Sequence, residues 1–232
     1  MIYRDIPRID SRLIAELRGL AVADIHDVLP PTVGAAGLMH RAIASITPGL
    51  SVCGQAVTAF CAMGDGLIAH TALFLAKAGD VLVLSDGAGE TRAALCGGNA
   101  AVDAKAQNIA GAIVDGAVRD VNTLRALAFP TWARAVTAAH GEKAGHGWVN
   151  KPVSCGGVIV HPGDIVIGDD DGIVVFPPSY AEFVATEVRR IKERDAGLHK
   201  RIKAGERIFS MGKFGEKVTI HDGHWTERED QP

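Results

Sequence analysis

An arginine and an aspartate stand side by side in Asp115-Gly116-Ala117-Val118-Arg119-Asp120, just past the apolar run Ile109-Ala110-Gly111-Ala112-Ile113-Val114. A run of that kind suits a buried strand, and in open α/β sheets ligands gather beyond strand carboxyl ends. There Arg119 offers a rigid fork for a carboxylate or an enolate oxygen. Asp120 offers a hard oxygen ligand suited to Mg²⁺ or Mn²⁺. The same residues also read as a plain junction, with Asp120 capping a helix over 121–128 and Arg119 on the surface. A second motif, Cys96-Gly97-Gly98-Asn99-Ala100, sets two glycines before a helix, where backbone N–H groups can face an anion. It is neither a Walker A loop nor a full Gly-x-Gly-x-x-Gly, and it too has a plain reading as a tight turn. One helix and one strand separate the motifs, so both can reach one pocket. An anion cradle beside a cation and a metal ligand suits a small 2-oxo acid, whose enolate a metal can hold.

Other reactive residue types read as structure. Gly64-Asp65-Gly66 with His70 is a turn with a histidine on a helix face. Asp169-Asp170-Asp171-Gly172 lacks EF-hand spacing and reads as a β-turn. His140-Gly141-Glu142-Lys143-Ala144-Gly145-His146 holds ligand types without an HExxH pattern and reads as a loop at a subunit contact. Lys192-Glu193-Arg194-Asp195 is a solvated helix face. There is no Gly-x-Ser-x-Gly elbow. No lysine stands in a context that marks a Schiff-base nucleophile, with Lys77 and Lys105 left open. Cys53, Cys61, Cys96 and Cys155 form no Cys-x-x-Cys pair, which predicts reduced, buried thiols and no zinc site.

The elements that must position these residues alternate. The spacing predicts a helix over 10–29 stopped by Pro30-Pro31, a strand over 51–62, a helix over 67–77 and a buried strand over 81–84. A helix over 99–108, the strand 109–114 and a short helix over 121–128 follow. Loops and strands fill 131–160, strands flank 169–172, and a long amphipathic helix runs from about 179 to 203, before a charged, loose tail. Ala78-Gly79-Asp80 and Pro162-Gly163-Asp164 repeat a Gly-Asp turn before a strand, more simply shared turn chemistry than a duplication. The alternation predicts an α/β fold.

The bulk properties narrow the function classes. The chain has 232 residues, 47% hydrophobic and 22% charged, which suits one globular domain over 1–232. A net charge of -3 gives no pull toward nucleic acid. The amino terminus carries no signal-like apolar run, and no stretch of about 18 apolar residues spans a membrane. A cytoplasmic protein with no membrane partner is expected.

Taken in order, Gly79-Asp80-Val81-Leu82-Val83, Gly97-Gly98, Ile113 to Asp120, Pro162-Gly163-Asp164-Ile165-Val166 and Asp170-Asp171-Gly172 resemble the RraA-like family over roughly residues 20 to 195. That family includes 4-hydroxy-4-methyl-2-oxoglutarate / 4-carboxy-4-hydroxy-2-oxoadipate aldolases, regulators of RNase E, and members once labelled menaquinone methyltransferases. The resemblance implies a swivelling β/β/α domain with a C-terminal helix, assembled as a homotrimer or homohexamer. It implies a class II, divalent-metal-dependent retro-aldol cleavage yielding pyruvate, with oxaloacetate decarboxylation through the same enolate. Arg119 then corresponds to the arginine that binds substrate and steadies the enolate. Asp120 corresponds to the metal ligand, and Gly97, Gly98, Asn99 and Ala100 to the carboxylate cradle. The aldolases carry an acid where this chain has Gly98, so the proton-transfer group is not identified. A neighbouring subunit's C-terminal helix supplies a glutamate, a place that Glu193 or Asp195 would fill. Two alternatives stay open: a regulator docking on RNase E or a helicase, and a related metal enzyme in which Gly98 opens space for a bulkier acid. A methyltransferase is disfavoured, because no cofactor loop is present.

Overall fold

Apolar runs punctuated by glycine become strands in the computed structural model, which describes residues 1–87, 89, 92–212 and 214–218. The loose tail expected at 219–232 lies outside these residues. Contacts divide the chain into two units, Met1–Val188 and Arg189–Pro232.

The first unit is built on a nine-stranded mixed sheet. Its strands are β1 (Ala44–Ser45), β2 (Val52–Cys61), β3 (Val81–Ser85), β4 (Ala94–Cys96), β5 (Gly111–Val118), β6 (Thr131–Val136), β7 (Gly147–Val149), β10 (Ile165–Asp169) and β11 (Gly172–Phe176). The order is β1-β6-β5-β3-β2-β10-β11, with β4 on β5 and β7 on β2. Strands β2, β3, β5 and β6 run parallel, as does β4 with β5, while β10 and β11 form an antiparallel hairpin against β2. β8 (Val153–Cys155) and β9 (Val158–Val160) make a separate hairpin. Every residue of β3 and β5 is buried, because both sheet faces are covered.

Helices α4 (Gly66–Leu75), α5 (Gly98–Ala106) and α6 (Val121–Ala126) follow β2, β4 and β5. Their apolar residues meet one sheet face in a core that includes Ile68, Leu73, Leu84, Ala101, Val114 and Leu124. The opposite face packs Trp132, Ile113, Val83 and Val166 with the β8–β9 hairpin. A third core sets Leu17, Ile25, Val184 and Val188 on β10 and β11.

The helix expected over 10–29 is two helices, α1 (Ser11–Leu17) and α2 (Val22–Val28). Gly19 separates them at φ 73°, a left-handed conformation that ends a helix and that glycine adopts without steric cost. Asp10 caps α1 as expected, accepting from Arg12 N–H. Pro30-Pro31 does stop α2, yet Pro31 also opens α3 (Pro31–Gly37) from the first helical position, where its missing N–H costs nothing. The two Gly-Asp turns share one geometry. Gly79 and Gly163 lie at φ 87° and 89°. Each aspartate then accepts from the backbone N–H three residues back, Asp80 from Lys77 at 2.7 Å and Asp164 from His161 at 2.8 Å. The strands that follow lie on opposite sides of β2, one parallel and one antiparallel. Shared turn chemistry is therefore sufficient.

Helix α7 (Ala181–Lys203) buries Ala181, Val184, Ala185 and Val188 in the first unit. In the second unit, Arg201 pairs with Glu206 at 2.6 Å, and Phe209 of α8 (Ile208–Met211) meets Phe214 edge-on.

Candidate functional site

The carboxyl ends of β2, β4 and β5 open on one side of the sheet, where α4, α5 and α6 begin. Strand β5 runs four residues further than its apolar stretch predicts, to Val118, so only Arg119 and Asp120 form the turn. The Arg119 N–H donates to Cys96 O at 3.0 Å, which ties this turn to the start of α5. Asp120 is left-handed (φ 57°, ψ 40°), a conformation that aspartate tolerates better than most residues. Its backbone carbonyl accepts from Thr123 and Leu124 N–H, so it stands at the N-cap of α6. Its side chain makes no capping bond there. Instead Oδ2 accepts from Gly98 N–H at 2.9 Å and faces Arg119 Nε at 3.3 Å. No hydrogen bond from the described residues reaches Oδ1. Position and carboxylate thus have separate jobs, and the capping alternative accounts only for the first.

The two glycines are explained by this pair. A Cβ on Gly97 would lie 2.8 Å from Arg119 Cγ and 3.0 Å from Asp120 Oδ2. One on Gly98 would lie 3.2 Å from Thr123 Cγ2 and 3.3 Å from Asp120 Cβ. The glycines let Arg119 and Asp120 lie against the first turn of α5. This corrects the expectation that Gly98 opens space for a bulkier acid, since Asp120 and Thr123 fill that space. It also narrows the cradle, because Asp120 already occupies the Gly98 N–H. The N–H groups of Asn99 and Ala100 have no partner among the described residues, as the first turn of a helix leaves them.

Arg119 and Asp120 line a cavity of about 590 Å³ with Gly97, Asn99 and Ala100. Gly66 and His70 of α4 line it too, as do His140, Gly141, Glu142 and Lys143. Sequence reasoning placed neither of these two groups at the site. The loop is held there by Asp65, which is 2% exposed. One Asp65 oxygen caps α4 through Leu67 and Ile68 N–H, at 2.9 and 3.3 Å. The other accepts from Ala144, Gly145 and His146 N–H at 3.0, 2.7 and 2.9 Å. Gly66 N–H also donates to Glu142 O at 2.7 Å, and a Cβ on Gly141 would meet Gly64 O at 1.9 Å. Burial pushes the Asp65 carboxyl up, but the N–H groups of His146, Ile68, Leu67 and Gly145 outweigh it and hold it below the usual carboxylate value. A depressed carboxyl stabilises the fold above its unfolded value, about 3.9, and loses that contribution as pH falls through its folded value. Asp65→Asn sets an amide donor against backbone donors. It is expected to lower unfolding stability in urea at pH 7 by about 2–3 kcal/mol. The difference from the unsubstituted protein should shrink below about pH 4; a difference independent of pH would contradict this role.

Asp115 lies elsewhere. It is 7% exposed on the opposite face of β5, 2.6 Å from Arg134 Nε, and accepts from Gly156 N–H at 2.7 Å. It therefore joins β5 to β6 and to the β8–β9 turn, away from the cavity. The aspartates at 169–171 form the expected turn: Asp169 accepts from Val22 and Asp171 N–H, and Asp170 from Gly49 N–H. Lys77 pairs with Asp5, and Lys105 donates to Ala128 O. All four cysteines are buried. Burial pushes the Cys53 and Cys96 thiols up to about 11, and those of Cys61 and Cys155 higher still. Glu193 is exposed in the second unit, and Asp195 faces Arg194 at 3.3 Å. The residues lining the cavity all belong to the first unit.

Among the described residues no three His, Cys, Asp or Glu side chains converge to hold a metal. Asp120 Oδ1 is a single hard oxygen. That donor set fits Mg²⁺ or Mn²⁺ completed by substrate and water, the usual manner for Mg²⁺, and does not fit structural zinc. Among these residues no helix is long and apolar enough to cross a membrane.

Residues 22–175, which include the whole cavity, match the family model described as RraA-like, aldolase/RraA. A Halalkalibacterium halodurans protein named "Putative 4-hydroxy-4-methyl-2-oxoglutarate aldolase" is 37% identical over 170 residues, 73% of this chain and 79% of its own. The 4-hydroxy-4-methyl-2-oxoglutarate aldolase of Thermus thermophilus is 39% identical over 113 residues, 49% of this chain and 68% of its own. The solved structure of the RNA-processing inhibitor RraA from the same genus and species aligns with a TM-score of 0.60 at 31% identity, covering 68% of this chain and 92% of that one. The α/β architecture expected from the sequence is present and is shared with that solved structure.

Proposed function

The chain belongs to the RraA-like family, and from that premise we propose that it is a divalent-metal-dependent lyase. Its substrate is a 4-hydroxy-2-oxo diacid such as 4-hydroxy-4-methyl-2-oxoglutarate or 4-carboxy-4-hydroxy-2-oxoadipate, cleaved to pyruvate and a second oxo acid. Oxaloacetate decarboxylation passes through the same pyruvate enolate. The observation that carries this reading is the cavity-lining Asp120 carboxylate, held by Gly98 N–H and Arg119 on one oxygen, with no hydrogen bond to Oδ1 from the described residues. Asp120 would hold Mg²⁺ or Mn²⁺. When bound, the ion supplies Lewis-acid polarisation of the 2-oxo group. Asn99 and Ala100 N–H bind the pyruvyl carboxylate at the α5 N-terminus, and Arg119 stabilises charge that develops on the enolate oxygen. The protein works in the cytoplasm as a homotrimer or homohexamer, in which Glu193 of a neighbouring C-terminal helix completes the site.

A lactate-dehydrogenase-coupled assay of pyruvate release, with both diacids and with oxaloacetate, tests the reading. Activity with Mg²⁺ or Mn²⁺ and none in EDTA supports it, whereas no pyruvate from any of the three sinks it. A single protein carboxylate also fixes how the metal binds. Mn²⁺ is expected to bind weakly alone and at least tenfold more tightly with oxalate present, with oxalate binding gaining by the same factor. Calorimetry that finds tight Mn²⁺ binding indifferent to oxalate would contradict the assignment.

The likeness to an RNA-processing inhibitor and the glycine at position 98 favour one other reading, a regulator docking on RNase E or a helicase. Such docking needs neither Arg119 nor Asp120. Binding to either protein that survives substitution of both residues, in a chain that releases no pyruvate, would establish it.

A further inference from the structure

We propose that His140 is the proton-transfer residue of this site, an inference that rests on the lyase reading above. Position 98 carries no acid. Arg119 has no lone pair to act as a base, and the remaining oxygen of Asp120 would be committed to the metal. Among the described residues, the titratable and charged groups that line the cavity with His140 are His70 on α4, Arg119 and Asp120 after β5, and Glu142 and Lys143 on its own segment, with His146 further along that loop.

His140 differs from these in being prepared for the task. Its Nδ1 lies 3.0 Å from Gly141 O. A carbonyl only accepts, so Nδ1 carries the hydrogen, and in the neutral form of the ring the lone pair lies on Nε2. Its backbone is fixed on both sides. His140 bridges to Ala94, and Ala94 N–H donates to Ala139 O at 3.0 Å. Gly141 approaches Gly64 too closely for any side chain, and Glu142 O accepts from Gly66 N–H. Among the described residues, His70 has no hydrogen bond to orient its ring.

The chemistry balances on this one group. Nε2 of His140 takes the proton of the 4-hydroxyl as the C3–C4 bond breaks, and the second oxo acid leaves with a new C4 carbonyl. The bond's electron pair becomes the pyruvate enolate. The imidazolium then returns the same proton to C3, giving pyruvate and restoring neutral His140. Oxaloacetate loses CO₂ without a base, and its enolate can take a proton from water after release.

The test compares two reactions of the full-length protein with Mg²⁺: exchange of pyruvate methyl protons with D₂O, followed by NMR, and oxaloacetate decarboxylation. His140→Gln keeps the size and polarity of the side chain. It is expected to slow exchange by about 10²–10³-fold, with the KM for pyruvate nearly unchanged. Decarboxylation should stay within about tenfold. If the variant exchanges as fast as the unsubstituted protein, or loses both reactions in parallel, the role is overturned and the lyase reading stands. An unsubstituted protein that decarboxylates but exchanges nothing also overturns the role. One that does neither overturns the lyase reading, and this role with it.

Discussion

Asp120→Asn is expected to lower metal-dependent pyruvate formation by about 10³-fold or more while leaving the fold intact. Lewis-acid stabilisation of a developing oxyanion is worth several kcal/mol, and each 1.36 kcal/mol is a factor of ten in rate. An asparagine retains the left-handed backbone, which it adopts as readily as aspartate. Its amide oxygen can still accept from Gly98 N–H. It replaces the free anionic oxygen with an amide that no divalent ion favours. Thermal melts should therefore overlay within a few degrees, while Mn²⁺ binding and turnover both collapse. Activity within tenfold of the unsubstituted protein would remove Asp120 from the metal site.

Arg119→Lys should be nearly as damaging, with a fall in kcat of about 10²–10³-fold, the range seen when a donor aimed at developing negative charge is lost. The Arg119 stem lies against Gly97, and its Nε faces the Asp120 carboxylate. In the proposed reaction that contact would leave the terminal nitrogens of a rigid fork for substrate. A lysine keeps the charge but offers a single mobile point in place of the planar fork. The loss should fall on kcat more than on KM, because the interaction strengthens as the enolate forms. Steady-state kinetics with oxaloacetate distinguishes the cases. A pure KM effect would mean that Arg119 only gathers substrate.

Much of this arrangement was legible in the sequence. The continuous apolar runs at 81–84 and 109–114 marked strands buried on both faces, and glycine and proline marked their ends. The Arg-Asp pair past one of those strands pointed to the cavity that it lines. Two things were not legible, for physical reasons. The reach of β5 through Asp115 hid the fact that Asp115 turns to the opposite face, toward Arg134. Strand alternation predicts opposite faces only once the strand's end is known. The loop from His140 to His146 reaches the cavity through Asp65, more than seventy residues earlier, which gathers the N–H groups of Ala144, Gly145 and His146 on one oxygen. Backbone donors carry no sequence signal. The only hint was a Gly-Asp-Gly turn in one place and a glycine-rich, His-containing loop in another, with nothing to pair them. Gly98 misled in the other direction, because a missing side chain looks like open space until the residues packed over it are known.

The most direct measurement is a crystal structure of the protein grown with Mn²⁺ and oxalate, a stable mimic of the pyruvate enolate. Mn²⁺ is expected on Asp120 Oδ1 with oxalate oxygens and water completing its coordination. One oxalate carboxylate should be bound by Asn99 and Ala100 N–H, and Arg119 should face an oxygen shared with the metal. Oxalate and metal bound away from Asp120, or Arg119 turned from the ligand, would contradict it.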